Sequence, residues 1–108
     1  MMAGRLYDAS RLQLLDGNDS GIVSFFLGLF LESVPPAVAE IQSAYVAGDL
    51  ARVRALAHRI KPSILELEIR SLAATIAEIE AGVGLPGNIE RLCSVMAVVV
   101  RQMREELQ

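Results

Sequence analysis

His58 and Lys61, three residues apart, are the pair of side chains in this 108-residue chain whose types and spacing reach beyond packing. No other histidine occurs. An exposed imidazole titrates near neutral pH, so a large neutral fraction is available as a nucleophile. A lysine at i+3 stands on the adjacent helical turn, where its ammonium can pair with anionic oxygens gathered at the ring. The alternative for each is a plain solvated side chain, the commoner state of a lone surface histidine or lysine. Local charge favours an anion. Arg52, Arg54, Arg59, Lys61 and Arg70 stand against Glu66 and Glu68, a net +3, whereas the rest of the chain carries −6. A basic island on an acidic protein suits one specific anionic partner better than nucleic acid, which usually needs a broad basic face.

The element that must position this pair is a helix over residues 50–67. Leu50, Val53, Ala57, Ile60, Ile64 and Leu67 recur at spacings of three and four and form a continuous core stripe. At about 100° per residue, His58 projects roughly 130° from the centre of that stripe, toward water. Arg54, Lys61, Pro62 and Leu65 share its flank. Asp49 is placed to cap the helix, and Pro62 removes the bond to the His58 carbonyl and is expected to bend it.

The segment Ala57-His58-Arg59-Ile60-Lys61-Pro62-Ser63 resembles the Ala-His-x-Leu/Ile-Lys-Gly/Pro-Ser signature of histidine-containing phosphotransfer (HPt) domains, the phosphoryl carriers of bacterial phosphorelays. Phe30-Leu31-Glu32-Ser33-Val34-Pro35 and Ala47-Gly48-Asp49-Leu50 extend the similarity in the same order before the histidine. The resemblance implies that His58 accepts a phosphoryl group from a receiver-domain aspartyl phosphate and relays it to another receiver aspartate. It implies Lys61 as the phosphoryl-stabilising cation, and Arg54, Pro62 and Leu65 as a receiver-docking face. Implied partners are response-regulator receiver domains and a hybrid sensor histidine kinase. Mg²⁺ belongs to the receiver, and no cofactor of this chain's own is implied. The chain departs from the pattern at two places. Leu65 and Glu68 stand where HPt domains usually carry a small residue and a glycine, so the turn at Glu68 must close without the usual left-handed glycine.

The remaining chain supports one helical domain, large enough to bury a core without metal or disulfide. A composition 53% hydrophobic yet only 5% aromatic points to an aliphatic helical core. One cysteine, Cys93, permits no internal disulfide, and one Cys with one His makes no zinc site. The chain is expected to be cytoplasmic and monomeric. Its charge-free run at residues 21–31 is too short for a bilayer span of about 20 residues. Asp8 can cap a short helix carrying Leu12, Leu14 and Leu15 and ended by Asp16-Gly17.

Asp19 or Ser20 then starts a helix with the stripe Ile22, Phe25, Phe26, Leu29 and Phe30, flanked by Val23, Leu27 and Leu31. Pro35-Pro36 is expected to interrupt it, with Val38, Ile41 and Tyr45 carrying a new helix to Gly48. Over 69–81, Leu72, Ile76 and Ile79, and then Val83, face inward, with Glu78 and Glu80 toward water. Residues 82–87 form a loop. Asn88 can cap a last helix whose seam is Ile89, Leu92, Met96, Val99, Met103 and Leu107. The expected helices are thus 8–15, 20–34, 36–47, 50–67, 69–81 and 88–107. They imply an all-α, antiparallel four-helix bundle with a short additional N-terminal helix.

No second general acid or base and no metal set accompanies His58 in the sequence. The expected role is therefore a phosphocarrier without autonomous catalytic activity. Two alternatives carry no phosphate. One is a helical module that docks on receivers or kinases, which Leu65 permits. The other is a structural dimerisation bundle, suggested by a mean hydropathy of +0.42.

Overall fold

The computed structural model describes residues 4–15 and 20–108, with only the backbone of 13–15 and 20. Among these it contains five α-helices and no strand: α1 (Ser10–Leu15), α2 (Ser20–Val46), α3 (Leu50–Glu66), α4 (Ala73–Ala81) and α5 (Gly87–Leu107), with a 3₁₀ turn at Arg70–Leu72 before α4. Helices α2 and α4 each pack against both α3 and α5, and α1 lies on α2. The expected side-chain roles of Leu14, Leu15, Asp16, Gly17 and Asp19 lie outside the described residues.

The largest correction concerns Pro35-Pro36, which do not divide the chain. Residues 20–46 form one helix. Val23, Leu27, Phe30, Val34, Ala37, Val38 and Ile41 make a single buried seam along it, running past the prolines on the inner side. Pro36 is exposed and Pro35 half-buried, so the rings lie away from that seam. Two prolines each cost about 3 kcal/mol inside a helix, and the continuous seam outweighs them.

One helix has one inner face, which corrects a second expectation. Counting back from Ile41 at about 100° per residue, Phe25 lies roughly 160° and Leu29 roughly 120° from the seam. Both are exposed, at 59% and 43%, while Ile22 and Phe26 are half-buried. By length and composition α2 could cross a membrane, the most apolar 18-residue stretch within Gly21–Val46 having a mean hydropathy of 1.8. It carries Glu32 and Glu40, however, and its seam is spent on α3 and α5.

Three helices end alike. In each, a residue one or two positions past the last helical residue is left-handed, and two backbone bonds fold back onto the last turn. Gly48 (φ 77°) does this after α2 and Gly82 (φ 77°) after α4. After α3 the residue is Glu68 (φ 50°), with Ile69 N donating to Ile64 O and Glu68 N to Leu65 O, each at 3.1 Å. The turn keeps the left-handed geometry without the glycine. A non-glycine residue there costs about 1 kcal/mol. Arg70 pairs with the Glu68 carboxylate at 2.9 Å and holds it in place.

Smaller corrections follow from the packing. Leu50 is exposed, so the α3 stripe begins at Val53 and gains Leu56. Val83 is exposed, and Leu107 emerges where α5 ends. Asn88 does not cap α5. Its amide lies inside the first turn and donates to Val83 O and Glu78 Oε1, both at 2.9 Å, tying the loop to α4. Asp8 accepts from Ser10 N at 2.8 Å just ahead of α1. The segment before it crosses the end of the bundle: Asp8 N donates to Leu67 O at 2.8 Å, and the buried Tyr7 phenol lies between Arg5 and Glu106.

Candidate functional site

Helix α3 sets His58 by burying the residues around it. Val53, Leu56, Ala57, Ile60 and Ile64 are in the core, and the helix cannot rotate without exposing them. Its start is held by the Asp49 carboxylate, which accepts from Arg52 N at 3.1 Å, and by an Arg52–Glu40 ion pair to α2. His58 therefore points outward, its side chain 77% exposed. Lys61 stands one turn further on, half-buried. Helix α3 continues through Pro62 to Glu66.

The histidine is not alone, contrary to the expectation from sequence. Glu80, expected to face water, reaches across from α4 and holds both candidate residues. One carboxylate oxygen, Oε2, meets His58 Nδ1, and the other, Oε1, accepts from Lys61 Nζ at 3.0 Å. The Glu80 carbonyl accepts from Arg54 Nε at 3.0 Å. Three residues of α3 thus converge on one residue of α4. The bonds from His58 and then Lys61 hold the Glu80 carboxyl below its ordinary range, so it is a carboxylate at neutral pH. Glu80 is delivered by its neighbours: Ile76 and Ile79 anchor α4 in the core, and Gly82 ends the helix two residues beyond. No sequence signal distinguished it from Glu78, which lies on the other side of buried Ile79 and bonds Asn88 instead.

Of the other expected site residues, Arg54 is committed to the Glu80 carbonyl. Pro62 is exposed, and Leu65 is 45% exposed. Pro62 also belongs to an apolar groove of about 320 Å³ between α2 and α3, lined by Phe26, Leu29, Phe30 and Ser63. The groove opens one helical turn from His58. Among the described residues no three His, Cys, Asp or Glu side chains converge as a metal-ligand set. Burial pushes the Cys93 thiol up, away from the reactive thiolate.

This chain matches no protein-family model, no curated protein and no solved structure. What the site offers is therefore read from its geometry: an exposed imidazole with one nitrogen on a carboxylate, an ammonium a turn away, and an open approach to the ring.

Proposed function

We propose that this chain is a histidine phosphotransfer protein, cytoplasmic and monomeric, whose four longer helices form an antiparallel four-helix bundle with α1 across one end. His58 takes a phosphoryl group from a receiver-domain aspartyl phosphate and passes it to an aspartate of another receiver. The observation that carries the reading is the outward His58 ring, with Nδ1 on Glu80 and Lys61 beside it. This adds to the HPt-like motif of residues 57–63.

In the transfer, the P–O bond to the donor aspartate breaks as an N–P bond forms at Nε2, and the aspartate leaves as a carboxylate. Such chemistry depends on in-line placement and on neutralising the equatorial oxygens. The rigid α3 supplies placement and Lys61 supplies charge, while the receiver brings the aspartate and Mg²⁺. The chain acts as a carrier without catalysis of its own, served by receivers and a hybrid sensor kinase that Arg54, Pro62 and Leu65 would meet.

The test is incubation with a phosphorylated receiver and Mg²⁺. Acid-labile, base-stable phosphate is expected on wild type and absent from His58→Gln. The exposed Leu65 favours a second reading, a module that docks on receivers without carrying phosphate. A folded wild-type protein that binds receivers yet stays unlabelled would replace the first reading with the second.

A further inference from the structure

We infer that Leu65 selects the partners of His58: a receiver fits when it sets a small or apolar side chain against Leu65 and an acidic one against Arg11, and is held off when a large or charged side chain meets Leu65. The inference rests on the carrier reading for the transfer itself and adds to it which receivers are accepted.

Leu65 lies seven residues after His58. At about 100° per residue it returns to within about 20° of the same line on α3, about 10 Å further along. A weak, transient interface of about 1,200 Å² in total covers about 600 Å² on each partner, a disc of about 14 Å radius. A receiver centred on the His58 ring therefore also covers Leu65. Arg54, His58 and Lys61 on that flank are polar, and Leu65 is not. At 45% exposed it stands outside the core, which α3 completes with Ile60 and Ile64. A single exposed leucine is ordinary on a protein surface. This one is set apart by its place and its surroundings. It lines a depression of about 240 Å³ between the end of α3 and the start of α4, together with Ile69 and Ala73, and Arg11, Glu68 and Arg70 stand around it. Glu68 is taken by Arg70, whereas Arg11 makes no ion pair among the described residues. The charge left over at the depression is positive, which calls for an acidic side chain on the partner.

The selection acts on approach. Transfer needs the attacking nitrogen and phosphorus in line and about 3–3.5 Å apart, and a misplacement of about 1 Å can cost about a hundredfold. Helix α3 is fixed by its buried residues, so Leu65 cannot retreat with its backbone. A bulky side chain facing it keeps the reacting atoms apart, and a charged one loses water without gaining a partner. A small or apolar one covers the exposed part of Leu65 and lets the partner close on His58. Attraction for one receiver and repulsion of another thus come from the same side chain.

The experiment measures single-turnover transfer from a panel of phosphorylated receiver domains with Mg²⁺ to wild type, Leu65→Ala and Leu65→Met. Affinities of the same proteins for the unphosphorylated receivers are measured in parallel by calorimetry, and circular dichroism confirms that each variant is folded. Leu65→Ala is expected to lower the rate with the preferred receivers about tenfold and to raise it with the rejected ones about tenfold, the scale of a changed apolar contact. The spread across the panel then narrows about a hundredfold. Leu65→Met, similar in volume, is expected to keep the wild-type order. Arg11→Glu is expected to weaken the preferred receivers by an amount that shrinks as salt is raised. Leu65→Ala that changes every receiver by the same factor, or changes none, would overturn the inference. Unchanged affinities in Arg11→Glu would overturn its acidic half. Wild type that takes phosphate from no receiver, yet binds them with a spread that narrows in Leu65→Ala, would overturn the carrier reading and leave the selection standing. Wild type that neither binds nor is labelled would overturn both.

Discussion

On the side of α3 that faces α4, His58, Lys61 and Arg54 converge on Glu80 through charged and polar contacts. On the side that faces α2, Pro62 and Ser63 look across an apolar groove onto Phe26, Leu29 and Phe30. The two flanks do different physical jobs. Contacts between partly exposed charges contribute little to stability, because water and salt compete for the same groups, but they fix direction. Apolar burial is non-directional and supplies most of the folding free energy. The histidine stands on the ridge between them. Its orientation can therefore be altered with little change in stability, and the reverse holds on the other flank.

Phe30→Ala gives the largest expected effect. It removes a ring that is 4% exposed from the floor of the groove and should cost about 3–5 kcal/mol in chemical denaturation. Protein that remains folded should keep the His58–Glu80 contact of wild type, read from the His58 ring resonances. A changed contact would mean that the two flanks are coupled through α3.

Lys61→Ala probes the opposite flank. The expected loss of stability is below about 1 kcal/mol, since the pair it breaks is partly exposed. In the proposed transfer the rate should fall about tenfold, equivalent to one hydrogen bond to a charged group. A stability loss as large as that of Phe30→Ala would erase the distinction between the flanks.

The smallest effect is in pH dependence. The Glu80 carboxyl is held below its ordinary value of 4.5 in the folded protein, so its contacts contribute stability above that value and lose it as pH falls through the lowered one. The stability difference between wild type and Glu80→Gln should accordingly shrink as the solution is acidified below pH 4.5, whereas the deficit of Phe30→Ala should persist. Denaturation midpoints of the three proteins across that range measure both, and a constant Glu80→Gln difference would contradict the ionic character of this flank.

Much of this was legible before the fold was known, and residues show where legibility stopped. The α3 stripe, the Asp49 cap, the glycine turns at 48 and 82, and the outward direction of His58 all follow from contacts within a few residues of chain. Val98-Val99-Val100 lies in α5 despite its strand-like composition, because Val99 is buried in the seam that runs from Ile89 to Met103. The unbroken α2 was hidden because proline's cost is local, while the compensating burial comes from α3 and α5. The sequence shows that the turn at Glu68 closes without a glycine, but its left-handed closure is set by the bonds to Ile64 and Leu65.

By itself, then, the sequence determined roughly where the helices run, apart from the join at Pro35-Pro36 and the starts of α1 and α4, which begin at Ser10 and, after a 3₁₀ turn, at Ala73, and which residue carries the candidate nucleophile. Both depend on periodicity, capping and side-chain chemistry over one or two turns. Only the tertiary structure decided which face of α2 is buried, that a groove lies beside Pro62, and that Glu80 rather than Glu78 meets the histidine. These depend on how α2 and α4 rotate against α3, and that rotation is set by the shared core formed by all of them.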